Sequence, residues 1–409
     1  MLLSTAPCAT HFLDKTHVDS MTVLHLISRY RWTGSAEPAV NLCAYLGGEG
    51  VDSRLCCIPG GSLEREARAR EVPLVLKADL ARNYTPWGIL RKARQIARMV
   101  RDEKIDLLHT HTSHDHWLSA LALSRFSALS VPLIRTHHET RRIRVGRVWR
   151  RIFNDHTAMN VTPSRSSRDY FVESGAMRPE KVETIYGGLD FARFGASEPA
   201  PDVRAAWGLP PDSILVAHLS HIGPDRRQRQ ALEAFALVSQ EYPSALLVFL
   251  GQGNKSTVRE LKASIAGLPI ALRVIFSKDH TAAGIAWGDQ LAAMNRVLVL
   301  AVGSEGSSRG VMEAMALGRP VIGARVGVLP ELIEPGVTGW LVDPEQPASI
   351  AGALRESLAD PGLAARIGAA GAERIHSHFR CERQACETRE LYERIVQELG
   401  VRARRAGLR

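Results

Sequence analysis

The sequence predicts an α/β protein of two domains, each built on a parallel sheet, and three observations carry that expectation. At 409 residues the chain is longer than one ordinary hydrophobic core serves, so two domains of somewhat under two hundred residues each are expected. Short apolar runs alternate with helical stretches along most of its length, the pattern of a sheet wrapped by helices. The third observation is the stretch 297–324, VLVLAVGSEGSSRGVMEAMALGRPVIGA. An apolar run, a small polar loop, a helix entered near Arg309, a stop at Gly318-Arg319-Pro320 and a second apolar run make one strand–helix–strand unit. Continuous apolar runs suit strands covered on both faces, and parallel sheets place their ligands at the carboxyl ends of strands.

The first domain is expected over residues 1–195, opening with a strand at 22–28 and a loop at 33–37 that leads into a helix through Tyr45. Strands at 54–58 and 72–77 precede a basic helix over 87–102, in which Arg91, Lys92, Arg94, Arg98 and Arg101 interleave with apolar positions. That pattern suits a helix lying over a core or on a membrane surface. Further strands are expected at 105–110, 131–135, 159–163 and 182–186, with a helix at 164–174. The Ala-, Pro- and Asp-rich stretch 195–211 reads as a linker. A second domain over 196–380 restarts with strands at 214–220, 245–251 and 273–277, continues through the central unit, and ends with a strand at 339–342 and helices from about 348. Residues 381–409 carry a terminal helix, 386–399, expected to pack back toward the N-terminal domain.

Composition narrows the class. With 45% hydrophobic and 23% charged residues the chain is of ordinary globular character, and no apolar run approaches the roughly twenty residues that span a bilayer. His11, Asp14 and Lys15 interrupt the region where an export signal needs an unbroken apolar core. Six cysteines show neither a disulfide framework nor paired metal-ligand spacing, so a reducing cytoplasm is expected. The formal charge of +9 implies an acidic partner, for which nucleic acid, an anionic membrane surface and a phosphorylated substrate all qualify.

Several clusters carry chemistry. Gly303 to Ser308 lies at a strand end before a helix whose free N–H groups favour an anion. Glu305 stands in that loop and Glu313 inside an otherwise apolar helix, where a buried carboxylate needs Arg309 one turn earlier or the hydroxyls of a ligand. His109, His111, His114 and His116 crowd eight residues at another strand end, which favours lining a ligand site over binding metal. His137, His138, Arg141 and Arg142 follow a further strand and lead into Arg144, Arg147, Arg150 and Arg151, a density suited to an anionic acceptor or an anionic bilayer.

Glu305, seven residues, Glu313, then Ala-Met-Ala-x-Gly-x-Pro-Val, with Gly327, Pro330-Glu331 and Gly336-Val-Thr-Gly339 in order, resembles the donor-site signature of the retaining family 4 glycosyltransferases (glycosyl transferases group 1). The resemblance implies the GT-B fold, two facing Rossmann-like domains with parallel sheets and an interdomain cleft, the first acceptor-side and the second binding a nucleotide sugar. It gives Glu305 to the transferred sugar and Glu313 to the ribose, with Gly306, Ser307, Ser308 and Arg309 beside them. Gly34 matches a glycine of the family's first loop, and Ser35 replaces a second. His221 and Arg226 occupy the positions of an arginine and a lysine that clamp the diphosphate, and His111 that of a histidine near the donor sugar. The activity implied by the resemblance is retaining, metal-independent transfer from a nucleotide-diphosphate sugar, with no cofactor, onto a cell-envelope glycan or lipid-linked saccharide. The expected place is the cytoplasm, peripheral on the inner membrane's cytoplasmic face, with no nucleic-acid partner. The alternative reading is a nucleotide-sugar epimerase or phosphorylase of the same architecture.

Overall fold

A computed structural model describes residues 21–33, 36–82, 85–127, 130–138, 146–195, 198–223, 226–300 and 309–405. The chain divides into two compact units. Unit 1 takes in the described residues as far as Gly188 and again from Arg380; unit 2 runs from Leu189 to Phe379.

Unit 1 alternates strand and helix: β1 (Thr22–Ile27), α1 (Glu37–Gly48), β2 (Asp52–Cys57), α2 (Ser62–Ala69), α3 (Pro86–Asp102), β3 (Leu107–Thr110), α4 (Ser113–Phe126), β4 (Leu133–Thr136), α5 (Arg147–Asp155), β5 (Met159–Thr162), α6 (Arg165–Glu173) and β6 (Val182–Thr184). Unit 2 continues with α7 (Val203–Ala206), β7 (Ile214–Leu219), α8 (Gln228–Ser239), β8 (Ala245–Leu250), α9 (Lys255–Ile265), β9 (Val274–Phe276), α10 (Trp287–Ala292), β10 (Arg296–Val299), α11 (Arg309–Ala316), β11 (Val321–Ala324), α12 (Leu329–Leu332), β12 (Trp340–Val342), α13 (Pro347–Ala359) and α14 (Pro361–His378). The long α15 (Cys381–Arg405) returns to unit 1.

Each unit holds one six-stranded sheet, ordered β2-β1-β3-β4-β5-β6 in unit 1 and β12-β11-β10-β7-β8-β9 in unit 2, and every pairing is parallel. In both, chain order reverses direction beside the first strand, between β1 and β3 and between β7 and β10. Loops leaving such a pair of strands diverge to opposite faces of the sheet and open a crevice at the carboxyl end, where doubly wound sheets bind ligands.

The alternation of side chains along a strand sets what each face of sheet 1 buries. Leu24, Leu26 and Leu108 join the α3–α4 core, whereas Val23 and Leu107 join Leu42 and Leu46 of α1 with Leu391, Tyr392 and Ile395 of α15. Removing each such Leu or Ile side chain from water contributes about 1.5–3 kcal/mol, so α15 is structural for unit 1. Where the chain leaves unit 1, a Cβ on Gly188 would come within 2.4 Å of the Arg380 backbone. Only glycine fits there.

Two expected features differ. The strand expected at 72–77 is reduced to a single bridge between Leu55 and Leu74, because Pro73 has no N–H with which to extend the ladder. The stretch 195–211 contains α7, capped by Asp202 and tied by Arg204 to the Ser213 carbonyl and to Asn295, while the division between units falls earlier, at Gly188 and Leu189.

Candidate functional site

In unit 2 the loops after β7 and β8 run side by side. The Ile222 N–H donates to the Gln252 carbonyl at 2.7 Å, and Ile222 bridges Gly253. A Cβ on Gly251 would lie 2.1 Å from the Ser220 carbonyl oxygen, so the close approach requires glycine. Lys278, after β9, donates to the Gly253 carbonyl at 3.1 Å. His221 stands exposed at the end of β7, and Arg226 lies just before α8 on the same loop. Arg226 and Arg227 have different settings. Arg227 pairs with Glu345, while Arg226 places its charge near the buried His218, whose pKa is lowered to about 4, chiefly by burial.

Helix α11 starts against this loop, with the Gly310 Cα facing the Leu219 side chain, and it ends at Gly318, whose positive φ of 67° lets the backbone turn out of the helix. Glu313 is 4% exposed. Its Oε1 accepts from Arg309 Nε at 2.7 Å and its Oε2 from Trp287 Nε1 at 2.8 Å. The i,i+4 pairing with Arg309 is the one expected from the helix; the indole is an addition that no sequence pattern announced. Each carboxylate oxygen retains a second acceptor position, so this charge is held in place and still able to take ligand hydroxyls.

In unit 1 the crevice between β1 and β3 is lined by histidine. His25 of β1 lies in register with His109 of β3, and His111 follows two residues later on the same face. His25 Nδ1 lies 2.9 Å from His111 Nε2, and His111 Nδ1 lies 3.0 Å from His138 Nε2. The ring planes lie at 12° and 24° to one another with centroids 5.2 and 5.3 Å apart, so the rings meet edge to edge through their nitrogens. His109 is braced separately, by Tyr392 of α15 at Nδ1 (2.5 Å) and Thr136 at Nε2 (2.7 Å). Burial drives all these imidazoles to the neutral form. His25 falls to about 3, and His138 also to about 3 with further lowering by the Arg135 and Arg29 guanidinium charges. His109 and His111 lie well below the ordinary histidine value for the same first cause.

His116 and His137 turn into the core instead. His116 bonds Thr157 and stacks on Phe153, and His137 bonds Asn160 Oδ1 at 3.1 Å. His114 is buried edge-on to Trp117. His25, His109 and His111 can bring one ring nitrogen each to within 4.8 Å of one another, a geometry that metal ions use. That donor set contains no carboxylate, both His109 nitrogens are already hydrogen-bonded, and Arg135 adds positive charge beside it. Those features disfavour a dication.

The structure therefore brings Arg226, His221, Arg309 and Glu313 to one end of sheet 2, and His111, His137 and His138 to one end of sheet 1. Gly34, Ser35, Arg141, Arg142, Glu305, Gly306, Ser307 and Ser308 lie outside the described residues. Sequence reasoning missed His25, Tyr392 and Trp287. His25 had a signal, a lone imidazole inside the apolar strand TVLHLI; the other two had none. Among the described residues no helix is long and apolar enough to cross a membrane.

Residues 32–193 match the family described as Glycosyltransferase Family 4, and residues 200–374 the one described as Glycosyl transferases group 1. The chain is 24% identical to the N-acetyl-alpha-D-glucosaminyl L-malate synthase of Bacillus anthracis, over 77% of this chain and 81% of that protein. It is 30% identical to the D-inositol 3-phosphate glycosyltransferase of Acidothermus cellulolyticus, over 64% of this chain and 61% of that one. Among solved structures, Anabaena HepE in complex with UDP and glucose superposes with a TM-score of 0.74 at 21% identity, covering 91% of this chain and 99% of HepE.

Proposed function

The chain belongs to the family 4, group 1 glycosyltransferases and has their GT-B fold, and from that premise we propose that it transfers a sugar from a nucleotide-diphosphate donor to an acceptor hydroxyl, with retention and without a metal. The observation that carries the proposal is Glu313, a buried carboxylate held by Arg309 and Trp287 beside the β7 loop. Its free acceptor positions suit the two hydroxyls of a ribose. Arg226 then faces the diphosphate, where a guanidinium stabilises the charge that develops as the nucleotide departs. Glu305 addresses the transferred sugar, and the departing phosphate takes the acceptor proton, so that no enzymic base is required.

We place acceptor binding on unit 1. Two relatives carry the names of anionic acceptors, L-malate and inositol 3-phosphate, and the arginines of 141–151 fit a phosphate or carboxylate on the acceptor. A saccharide linked to its lipid through phosphate carries the same charge. Trp87, 81% exposed at the start of the basic helix α3, supports peripheral contact with an anionic inner-membrane surface from the cytoplasmic side.

The test is a panel of nucleotide sugars scored by protection against thermal unfolding, followed by transfer assays with malate, inositol phosphate and lipid-linked acceptors in the presence and absence of chelator. One nucleotide sugar should protect, chelator should leave transfer unchanged, and the product anomer should match the donor's. An inverted product or turnover of donor without acceptor overturns the reading.

A further inference from the structure

His25, His111 and His138 make a continuous file of three rings, joined by contacts of 2.9 and 3.0 Å. A neutral imidazole carries one N–H and one lone pair, so a file of neutral rings has a direction, and only two directions exist. In the first, every ring carries its proton on Nδ1 and accepts, if at all, at Nε2. In the second, the protons sit on the opposite nitrogens.

The inner end decides between them. His25 is fully buried, and its Nε2 has no hydrogen-bond partner among the described residues. In the first direction this atom is an unfilled lone pair; in the second it is a buried N–H with nothing to bond. Orphaned buried N–H groups are the rarer and costlier of the two. A protonated ring does not help, because an imidazolium at any of the three positions likewise leaves an N–H on the unpartnered His25 Nε2. Burial and the charge of Arg135 oppose it as well, while His109, packed beside the file, is spent on Tyr392 and Thr136.

We propose that His25 orients His111 and His111 orients His138, each protonated at Nδ1, so that the half-buried His138 is the ring that donates a hydrogen bond, from Nδ1, to a substrate oxygen. The substrate half of this statement rests on the transferase reading above; the direction of the file does not. His111, with both nitrogens occupied by neighbouring rings, is then a positioning residue. His25, which the family resemblance does not touch, sets the polarity of the whole arrangement.

The experiment reads the ring nitrogens directly. In 15N-labelled wild-type protein near pH 7.5, two-bond 15N–1H correlation spectra distinguish Nδ1–H from Nε2–H and from the doubly protonated ring. Signals are assigned by their loss in H25N, H111N and H138N. The expected result is the Nδ1–H tautomer at all three positions; an Nε2–H tautomer at His25 or His111, or an imidazolium at any of the three, overturns the proposal whether or not a substrate has been found. The second arm compares H138N, whose amide nitrogen occupies the Nδ1 position, with H138Q, whose amide nitrogen occupies the Nε2 position. H138N should keep about tenfold more kcat/KM than H138Q. Equal values or the reverse order overturn the assignment of His138 as donor. Wild-type protein with the expected tautomers but no transfer to any acceptor would instead count against the transferase reading alone.

Discussion

Unit 1 and unit 2 present the same kind of sheet end to a ligand and furnish it in opposite ways. At the β1–β3 crevice the chain has gathered neutral imidazoles and kept them out of water. At the corresponding end of sheet 2 it has set full charges, Arg226 on one loop and the Arg309–Glu313 pair beside it. The scaffold dictates where a site forms but says nothing of its electrostatics. A nucleoside diphosphate needs fixed charge, whereas a sugar or an acceptor hydroxyl is better matched by directional, uncharged donors and acceptors, and in the transfer we propose the two units divide those tasks between them.

Acid is expected to break this parity most strongly. His25, His109, His111, His116, His137 and His138 all have lowered pKa values in the fold. Unfolding lets each take up a proton below its ordinary pKa, so the unfolded state binds more protons and stability rises with pH. The contribution is complete above about pH 6.5 and drains away as the pH falls toward 3. Each ring withdraws about 1.4 kcal/mol per pH unit in that window, so six together withdraw roughly 8 kcal/mol for each unit, within the ~5–15 kcal/mol that holds a typical domain. Sheet 2 has His218 as its buried imidazole among the described residues. Pulse hydrogen exchange at a fixed labelling pH, after equilibration between pH 7 and 4, should show unit 1 peptides losing protection before those of unit 2. Simultaneous loss would show that the histidines do not set acid stability.

Glu313→Ala sharpens the comparison from the other side. It removes the carboxylate that both the Arg309 guanidinium and the Trp287 N–H bond, and should lower the stability of unit 2 by about 2 kcal/mol in denaturant titration while removing thermal protection by the nucleotide sugar. Protection that survives would separate Glu313 from the ribose. Tyr392→Phe is the mildest change. It deletes the hydroxyl on His109 and leaves the ring in the α1–α15 core, so about 1 kcal/mol should be lost from unit 1 and nothing from unit 2. A larger loss would mean that His109 reorients without its brace.

Much of this was legible in the chain and some was not, for identifiable reasons. Apolar runs bounded by turn residues marked β7, β8 and β10 to within a residue or a few, because strands buried on both faces are mostly apolar, His218 of β7 and Arg296 of β10 being the polar exceptions. Arg309 and Glu313 could be paired on paper since one helical turn joins them. The His25–His109 neighbourhood could not, as it depends on the register between strands 84 positions apart, and nothing local encodes that number. Trp287 reaches Glu313 from a separate helix for the same reason. Pro73, which has no N–H to donate, is the residue in the sequence that argues against a third full strand there.

Tyr392 closes on His109 across 283 positions of sequence. During synthesis on the ribosome, every residue of unit 2 therefore emerges before the helix that completes unit 1 exists. Until then one face of the first sheet, with Val23, Leu107 and Ile134, stays uncovered by α15. The half of the protein that is made first is the half that matures last, and a nascent chain has to keep that greasy face from its neighbours while the second half is already able to close.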